Sequence, residues 1–142
     1  QGATAALPII KVQTRLQSGL VEVALAEFIA DKTNWRNMLK GTQVDVDLIA
    51  ARDELLPQIQ AKLDELAQLF GATAIEVLDE EVVNIHYPVD NYPTKISSFN
   101  FDKEAGVSGV LQGIKGQYLI FDTGVINIRK FGSYEVEVDY SA

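Results

Sequence analysis

The chain has 142 residues, of which 47% are hydrophobic and 23% charged, and its formal net charge is −8 at pH 7. This length and composition are typical of a folded protein with one buried core, or of a small domain with an appendage. The chain has no cysteine and one histidine, His86, which excludes disulfides and leaves little for a histidine-based metal site. No apolar run approaches the roughly 18–20 residues that span a bilayer, and no secretory signal is present, so we expect no membrane partner and a cytoplasmic location.

The first 44 residues predict a small α/β unit. Residues 7–15 alternate between apolar and polar side chains, which is typical of a strand. Residues 19–30 carry apolar side chains at helical spacing, and a second, short helix is predicted over 34–40 because Gly41 can end it. The chain starts with Gln1 and not with Met, so we expect it to be a piece of a longer protein.

Residues 45–71 predict the longest helix of the chain, which would connect two parts. Apolar residues recur there at intervals of three and four, Asp45 or Asp47 can cap the N-terminus, and Gly71 can end the helix. Pro57 lacks the backbone donor that a helix interior needs. We therefore expect a kink at Pro57, or two helices that meet near Leu56.

Residues 72–142 predict a small antiparallel β domain of barrel-like form. Residues 74–78 and 82–87 flank an acidic turn and predict a hairpin. Three or four further strands are predicted, at 107–114, 117–122, 125–129 and 134–138. The predicted fold class is therefore α+β, with an α/β unit at 1–44, a kinked helical connector at 45–71 and the β domain at 72–142.

Two short motifs in the β region look like known sites. Asp122-Thr123-Gly124 is the tripeptide of aspartic proteases, but the same tripeptide between apolar strands forms ordinary hairpin turns. Gly113-Ile114-Lys115-Gly116 looks like a phosphate-binding loop, yet it precedes a strand, where glycine marks a bulge or a sharp bend. The structural interpretation is the simpler one for both motifs.

Basic residues in the first part of the chain predict a candidate nucleic-acid surface. The cations concerned are Lys11, Arg15, Lys32, Arg36 and Lys40. The last three recur every four residues and would share one face of a helix. Five neighbouring cations can bind phosphates, but they also suit a solvated surface that balances the acidic half of the chain. The solvated surface is the simpler interpretation.

Several sequence blocks resemble one family of proteins. The blocks are QGA at 1–3, DKTNWRNMLK at 31–40, YPV at 87–89, SFNFDK at 98–103 and GIKGQYLI at 113–120. They are similar to a bacterial family of uncharacterised proteins, the domain of unknown function 2797, and the resemblance covers nearly the whole chain. The resemblance implies membership of this family but no activity, because the family has no established biochemical function.

The resemblance also implies what would precede this chain. Members of the family are longer at the N-terminus, where a cysteine-rich segment and a GIY-YIG-like strand pair would lie before Gln1. Residues 1–44 would then be the remnant of a GIY-YIG-like unit, and Glu22 would sit where the helical glutamate of such nucleases holds a divalent metal. The tyrosine and arginine partners of that glutamate are absent, so we expect no catalysis and no cofactor in this piece alone.

Two classes of function follow from the sequence. In the first, the chain is a non-catalytic binding or interaction module with a protein partner. In the second, it is the C-terminal part of a GIY-YIG-like nucleic-acid-binding protein or metal-dependent nuclease. The second class assigns phosphate contacts to the five cations and a divalent metal to Glu22 as the catalytic ligand.

Overall fold

A computed structural model describes residues 2–30, 34–42 and 44–141. The described elements are, in chain order, β1 (Ala5–Ala6), β2 (Ile10–Val12), α1 (Arg15–Ala26), α2 (Trp35–Lys40), α3 (Leu48–Phe70), β3 (Ile75–Val77), β4 (Val83–Asn84), β5 (Leu111–Lys115), β6 (Tyr118–Phe121), β7 (Val125–Asn127) and a 3₁₀ helix (Ile128–Phe131). The α+β class is confirmed, but the strands of the described part form three small antiparallel sheets and no closed barrel.

The chain divides into two compact units, each built from separate stretches of sequence. The helical unit comprises the described residues of Thr4–Thr33 and Val44–Ile85. The sheet unit comprises the described residues of Gln1–Ala3, Asn34–Gln43 and His86–Ala142.

Helix α1 of the helical unit begins at Arg15, earlier than the start predicted at Gly19. Thr14 and Gln17 form a capping box: the Thr14 hydroxyl accepts from the Gln17 backbone N–H, and Gln17 Oε1 accepts from the Thr14 backbone N–H at 2.9 Å. The box satisfies two backbone donors that the first turn of a helix leaves unpaired. The apolar periodicity that predicted the helix contains no trace of this polar start.

Helix α3 is a single helix from Leu48 to Phe70 with Pro57 inside it. Of the two predicted alternatives, two helices meeting near Leu56 was therefore wrong, and a kink at Pro57 stays a prediction. The carboxylate of Asp47 caps it by accepting from the backbone N–H groups of Ile49 and Ala50, at 3.1 and 3.0 Å. Pro57 lies on an exposed position of the helix, where water can solvate the carbonyl that loses its donor. Ile59, Leu63 and Leu66 face inward and pack with Val21 of α1.

The hairpin predicted over 74–87 was wrong. Strand β3 pairs with β2, and β4 pairs with β1, each antiparallel. Ile75 of β3 and Val12 of β2 are register partners, and both pack against the core of α1 and α3. The pairing is therefore set by a core that forms between distant parts of the chain, which a local turn signal cannot reveal.

The sheet unit is built on three antiparallel strands in the order β5-β6-β7. One face of this sheet, formed by Tyr118, Ile120 and Val125, packs with Met38 and Leu39 of α2. As predicted, α2 ends at a glycine, and Gly41 takes the left-handed conformation (φ 67°). Burial of these side chains joins α2 to the sheet.

The glycine-containing motifs are structural, as predicted. The register of β5 shifts between Leu111 and Gly113, and a Cβ at Gly113 would lie 2.7 Å from Val89 Cα. A Cβ at Gly124, in the turn before β7, would lie 2.8 Å from Phe99 Cε2. Both positions need glycine because another part of the chain passes too close for a side chain.

The strand predicted at 134–138 was also wrong, because that stretch has no strand pairing in the structure. Strand β7 ends at Asn127, two residues before the end predicted at Arg129. The Asn127 side chain accepts from the backbone N–H groups of Arg129 and Lys130, at 3.1 and 3.3 Å, and so starts the 3₁₀ helix. This turn of helix takes the following residues out of line with the sheet.

Candidate binding groove

The second face of the three-stranded sheet lines an open groove of about 750 Å³. Successive side chains of a strand point to opposite faces. Because Tyr118 and Ile120 pack with α2, Leu119 and Phe121 line the groove on the other side, together with Ile126 of β7. The remaining walls come from residues 105–109, from the C-terminal segment, residues 134–139, and from Phe101, Ile128 and Phe131. The sheet therefore has one apolar face covered by a helix and one open to a groove.

The C-terminal segment is anchored at its start by aromatic and polar contacts. Phe131 is buried, and its ring lies 4.9 Å from that of Phe101 and 5.3 Å from that of Tyr134. The Tyr134 hydroxyl donates a hydrogen bond to the carboxylate of Asp102, and Lys130 Nζ lies 3.8 Å from the same carboxylate. The hydrogen bond to Asp102, helped by burial, raises the pKa of Tyr134 above its ordinary value.

Beyond Tyr134 the segment has no regular secondary structure, and its sequence alternates acidic with aliphatic residues. Glu135, Glu137 and Asp139 line the groove together with Val136 and Val138, whose exposed fractions are 50% and 78%. In the described part of the chain, no backbone group of residues 135–141 has a backbone hydrogen-bond partner. Of the described residues that line the groove, none is a lysine or an arginine. The groove thus has an apolar face and an acidic wall, and the backbone of that wall makes no backbone hydrogen bond within the described chain.

The predicted metal ligand, Glu22, lies in the helical unit. It is exposed on α1 and lines a cavity of about 290 Å³ whose other walls are mainly the aliphatic side chains of β2 and α1. Among the described residues, no group of three or more His, Cys, Asp or Glu side chains could hold a metal ion. Ca²⁺ and Mg²⁺ in proteins take about six or more oxygen ligands, some of them water. Metal binding at Glu22 stays a prediction that requires ligands from elsewhere.

The predicted phosphate-binding residues are placed as follows. Lys11, on β2, forms an ion pair with Glu76 on β3 at 3.5 Å, and Arg15 is the exposed first residue of α1. The Arg36 guanidinium lies 4.5 Å from the centre of its neighbour's ring, that of Trp35. Lys40 ends α2, where a positive charge favours the helix dipole.

These cations are divided between the units. Lys11 and Arg15 belong to the helical unit, and Arg36 and Lys40 belong to the sheet unit. Arg36 and Lys40 lie four residues apart on α2 and so share one face of it. Lys32 lies outside the described residues. Nucleic-acid binding by these side chains stays a prediction.

A buried lysine was missed by the sequence-based interpretation. Lys115 is fully buried, and its Nζ donates to the Met38 carbonyl at 3.1 Å. The same nitrogen lies 5.0 Å from the ring centre of Tyr92 and 5.9 Å from that of Tyr87. Lys115 therefore ties the C-terminal turn of α2 to β5. The only signal in the sequence was a lysine between two glycines next to an apolar strand.

Comparisons with known proteins identify a family. A family model described as protein of unknown function (DUF2797) matches residues 1–136, which confirms the resemblance of the sequence blocks. No curated protein and no solved structure matches the chain significantly. None of the described helices combines the length and the apolar character that a membrane span requires.

Proposed function

We propose that this chain, which belongs to the DUF2797 family of proteins of unknown function, is a non-catalytic binding module whose ligand occupies the groove of the sheet unit. The observation that carries the proposal is the open second face of the β5-β6-β7 sheet. Its volume of about 750 Å³ lies within the range of roughly 300–1,000 Å³ that is usual for ligand sites. Leu119 and Phe121, which are half-buried, provide an apolar surface that a ligand can cover, and the buried Ile126 lies beside them.

The proposal can be tested by selecting random displayed peptides on the whole chain. The key variant is the double substitution Val136→Asp and Val138→Asp, which places charges in the groove wall at exposed positions and so leaves the core unchanged. Selected peptides should bind the wild-type chain and lose about tenfold or more in affinity, or ~1.4 kcal/mol, against the double variant. Glu22→Ala should leave their affinity unchanged.

A matched control uses Val44→Asp and Val46→Asp. These valines are also exposed, at 86% and 63%, and they lie in the helical unit. They introduce the same two charges away from the groove, so the selected peptides should bind this control as they bind the wild type. The proposal would be refuted if the selected peptides bind the Val136→Asp, Val138→Asp variant as tightly as the wild type, or if the selection enriches no peptide.

The alternative function, a nucleic-acid-binding part of a metal-dependent nuclease, is favoured by one observation: Arg36 and Lys40 share one face of α2. It predicts DNA or RNA binding that weakens steeply between about 50 and 200 mM salt. Arg36→Ala with Lys40→Ala should abolish that binding and leave peptide binding in the groove intact. Absence of nucleic-acid binding at low salt would eliminate this alternative.

A further inference from the structure

The acidic wall of the groove limits which ligands it can take. Glu135, Glu137 and Asp139 line the groove, and none of the other described lining residues is basic. A nucleic acid or an anionic membrane surface would be repelled by these carboxylates. A second copy of the same segment would bring three further carboxylates against them. The charge of the groove therefore favours a basic ligand.

The backbone of the same wall favours an extended polypeptide. Residues 135–141 are free of backbone hydrogen bonds within the described chain, and the acidic and aliphatic side chains alternate as they do along a strand. A peptide that pairs with an unpaired edge gains main-chain hydrogen bonds, and its alternate side chains supply specificity. Cross-strand neighbours interact favourably when their charges are opposite or when both are aliphatic.

We infer that the ligand of the groove is an extended segment of a partner protein in which lysine or arginine alternates with aliphatic residues, paired with residues 135–139 as an added strand. This inference rests on the proposed function and specifies its ligand. The basic side chains of the segment lie opposite Glu135, Glu137 and Asp139. Its aliphatic side chains lie against Val136, Val138 and the open face of the sheet.

The test uses three labelled peptides of about seven residues, the usual length of a strand: one of alternating Lys and Val, one with Gln in place of Lys, and one with Glu in place of Lys. Fluorescence anisotropy on the whole chain should show the Lys peptide binding about tenfold or more tightly than the Gln peptide. The Glu peptide should not bind. Raising the salt from about 50 to 200 mM should narrow the difference between the Lys and Gln peptides.

A charge-matched pair of variants separates recognition from general attraction to an acidic protein. The triple variant Glu135→Gln, Glu137→Gln and Asp139→Asn should remove the preference for the Lys peptide. The control variant carries Glu54→Gln, Glu80→Gln and Glu81→Gln, all at exposed positions of the helical unit, and should keep the preference. Equal loss of preference in both variants would overturn the inference, because it would show attraction to net charge alone.

Two further peptides test the strand pairing. One Lys-Val peptide is N-methylated on its lysines and the other on its valines, and because successive N–H groups of a strand point to opposite edges, only one of the two should lose binding. Equal binding by both would overturn the pairing.

If the Gln peptide binds as tightly as the Lys peptide and both are lost in the Val136→Asp, Val138→Asp variant, the basic ligand is refuted while the proposed binding function stands. If no alternating peptide binds, the inference fails, and the display selection decides the proposed function separately.

Discussion

Replacing Gly113 by alanine should loosen the edge of the sheet on which the groove is built. The added Cβ would lie 2.7 Å from Val89 Cα and 2.9 Å from the Pro88 carbonyl oxygen, so the backbone of residues 88–90 must move away from β5. Two hydrogen bonds cross this contact: Asp90 N–H donates to the Gln112 carbonyl at 2.8 Å, and Ile114 N–H donates to the Pro88 carbonyl at 2.9 Å.

The size of the effect follows from these contacts. Each backbone hydrogen bond contributes about 1 kcal/mol net. Val89 packs against the core of the sheet unit. When the variant moves Val89 away from that core, the side chain becomes partly exposed, which lowers the free energy of unfolding by roughly another 1 kcal/mol. The free energy of unfolding of the sheet unit should therefore fall by about 2–3 kcal/mol in the Gly113→Ala variant, as the sum of these terms.

Gly19→Ala is a matched control for which we expect the opposite effect, an increase in the free energy of unfolding. Gly19 lies inside α1, and apart from its chain neighbours and the backbone of its own helix, no atom of the described residues lies within 4 Å of the Cβ that alanine would add. Alanine loses less backbone entropy than glycine when a helix forms, so this variant should gain about 0.5–1 kcal/mol in the helical unit.

Urea denaturation can be followed with one probe in each unit. Trp35, the one tryptophan of the chain, stacks on Tyr118 at 5.9 Å in the sheet unit, and its fluorescence follows that unit. Far-ultraviolet circular dichroism follows mainly α1 and α3 of the helical unit. Gly113→Ala should lower the fluorescence midpoint, and Gly19→Ala should raise the dichroism midpoint. An unchanged or higher fluorescence midpoint in Gly113→Ala would refute the close-contact argument.

Two further predictions concern side chains of the sheet unit. Lys115→Met keeps most of the buried volume, whereas Lys115→Ala removes about three buried methylenes. In the same fluorescence titration, the alanine variant should therefore be less stable than the methionine variant by about 2–3 kcal/mol. Equal stabilities of the two variants would contradict the packing of Lys115. The absorbance titration of the wild type minus that of Tyr134→Phe should show the pKa of Tyr134 above its ordinary value of about 10, and Asp102→Asn should lower that pKa. Because the pKa of Tyr134 is raised on folding, the stabilisation by the Tyr134–Asp102 hydrogen bond is complete below about pH 10 and is lost as the pH rises through the raised pKa. Identical titrations of Tyr134 in the wild type and in Asp102→Asn would contradict this prediction.

Elements with a strong local signal were predictable from the sequence. The periodicity of α3, its end at Gly71 and the end of α2 at Gly41 all appear in the structure. So does the irregularity of β5 at Gly113. In each case the residues that cause the structure are neighbours in the chain, and the backbone preference of glycine or the spacing of apolar side chains suffices to predict it.

Features that depend on distant residues were not predictable in the same way. The pairing of β3 with β2 rather than with β4 is set by a core shared with α1 and α3. Lys115 acquires its role only because Met38 lies against it, 77 positions away in the chain. The groove exists because one face of the sheet is covered by α2 and the other is not, and no stretch of sequence records that difference.

The C-terminal segment combines a correct local signal with a missing partner. Its alternation of acidic and aliphatic residues is that of a strand, yet a strand needs a neighbour, and ordering each residue costs about 1–2 kcal/mol of backbone entropy. Because the amides of residues 135–141 have no backbone acceptor in the described chain, they should exchange their hydrogens rapidly in the free protein. An added strand should protect every second amide from Glu135 to Asp139, since alternate N–H groups face one edge. Hydrogen exchange measured by NMR, with and without the Lys-Val peptide, tests this. Protection of these amides already in the free protein, or uniform protection on peptide binding, would show that the segment does not pair with an added strand.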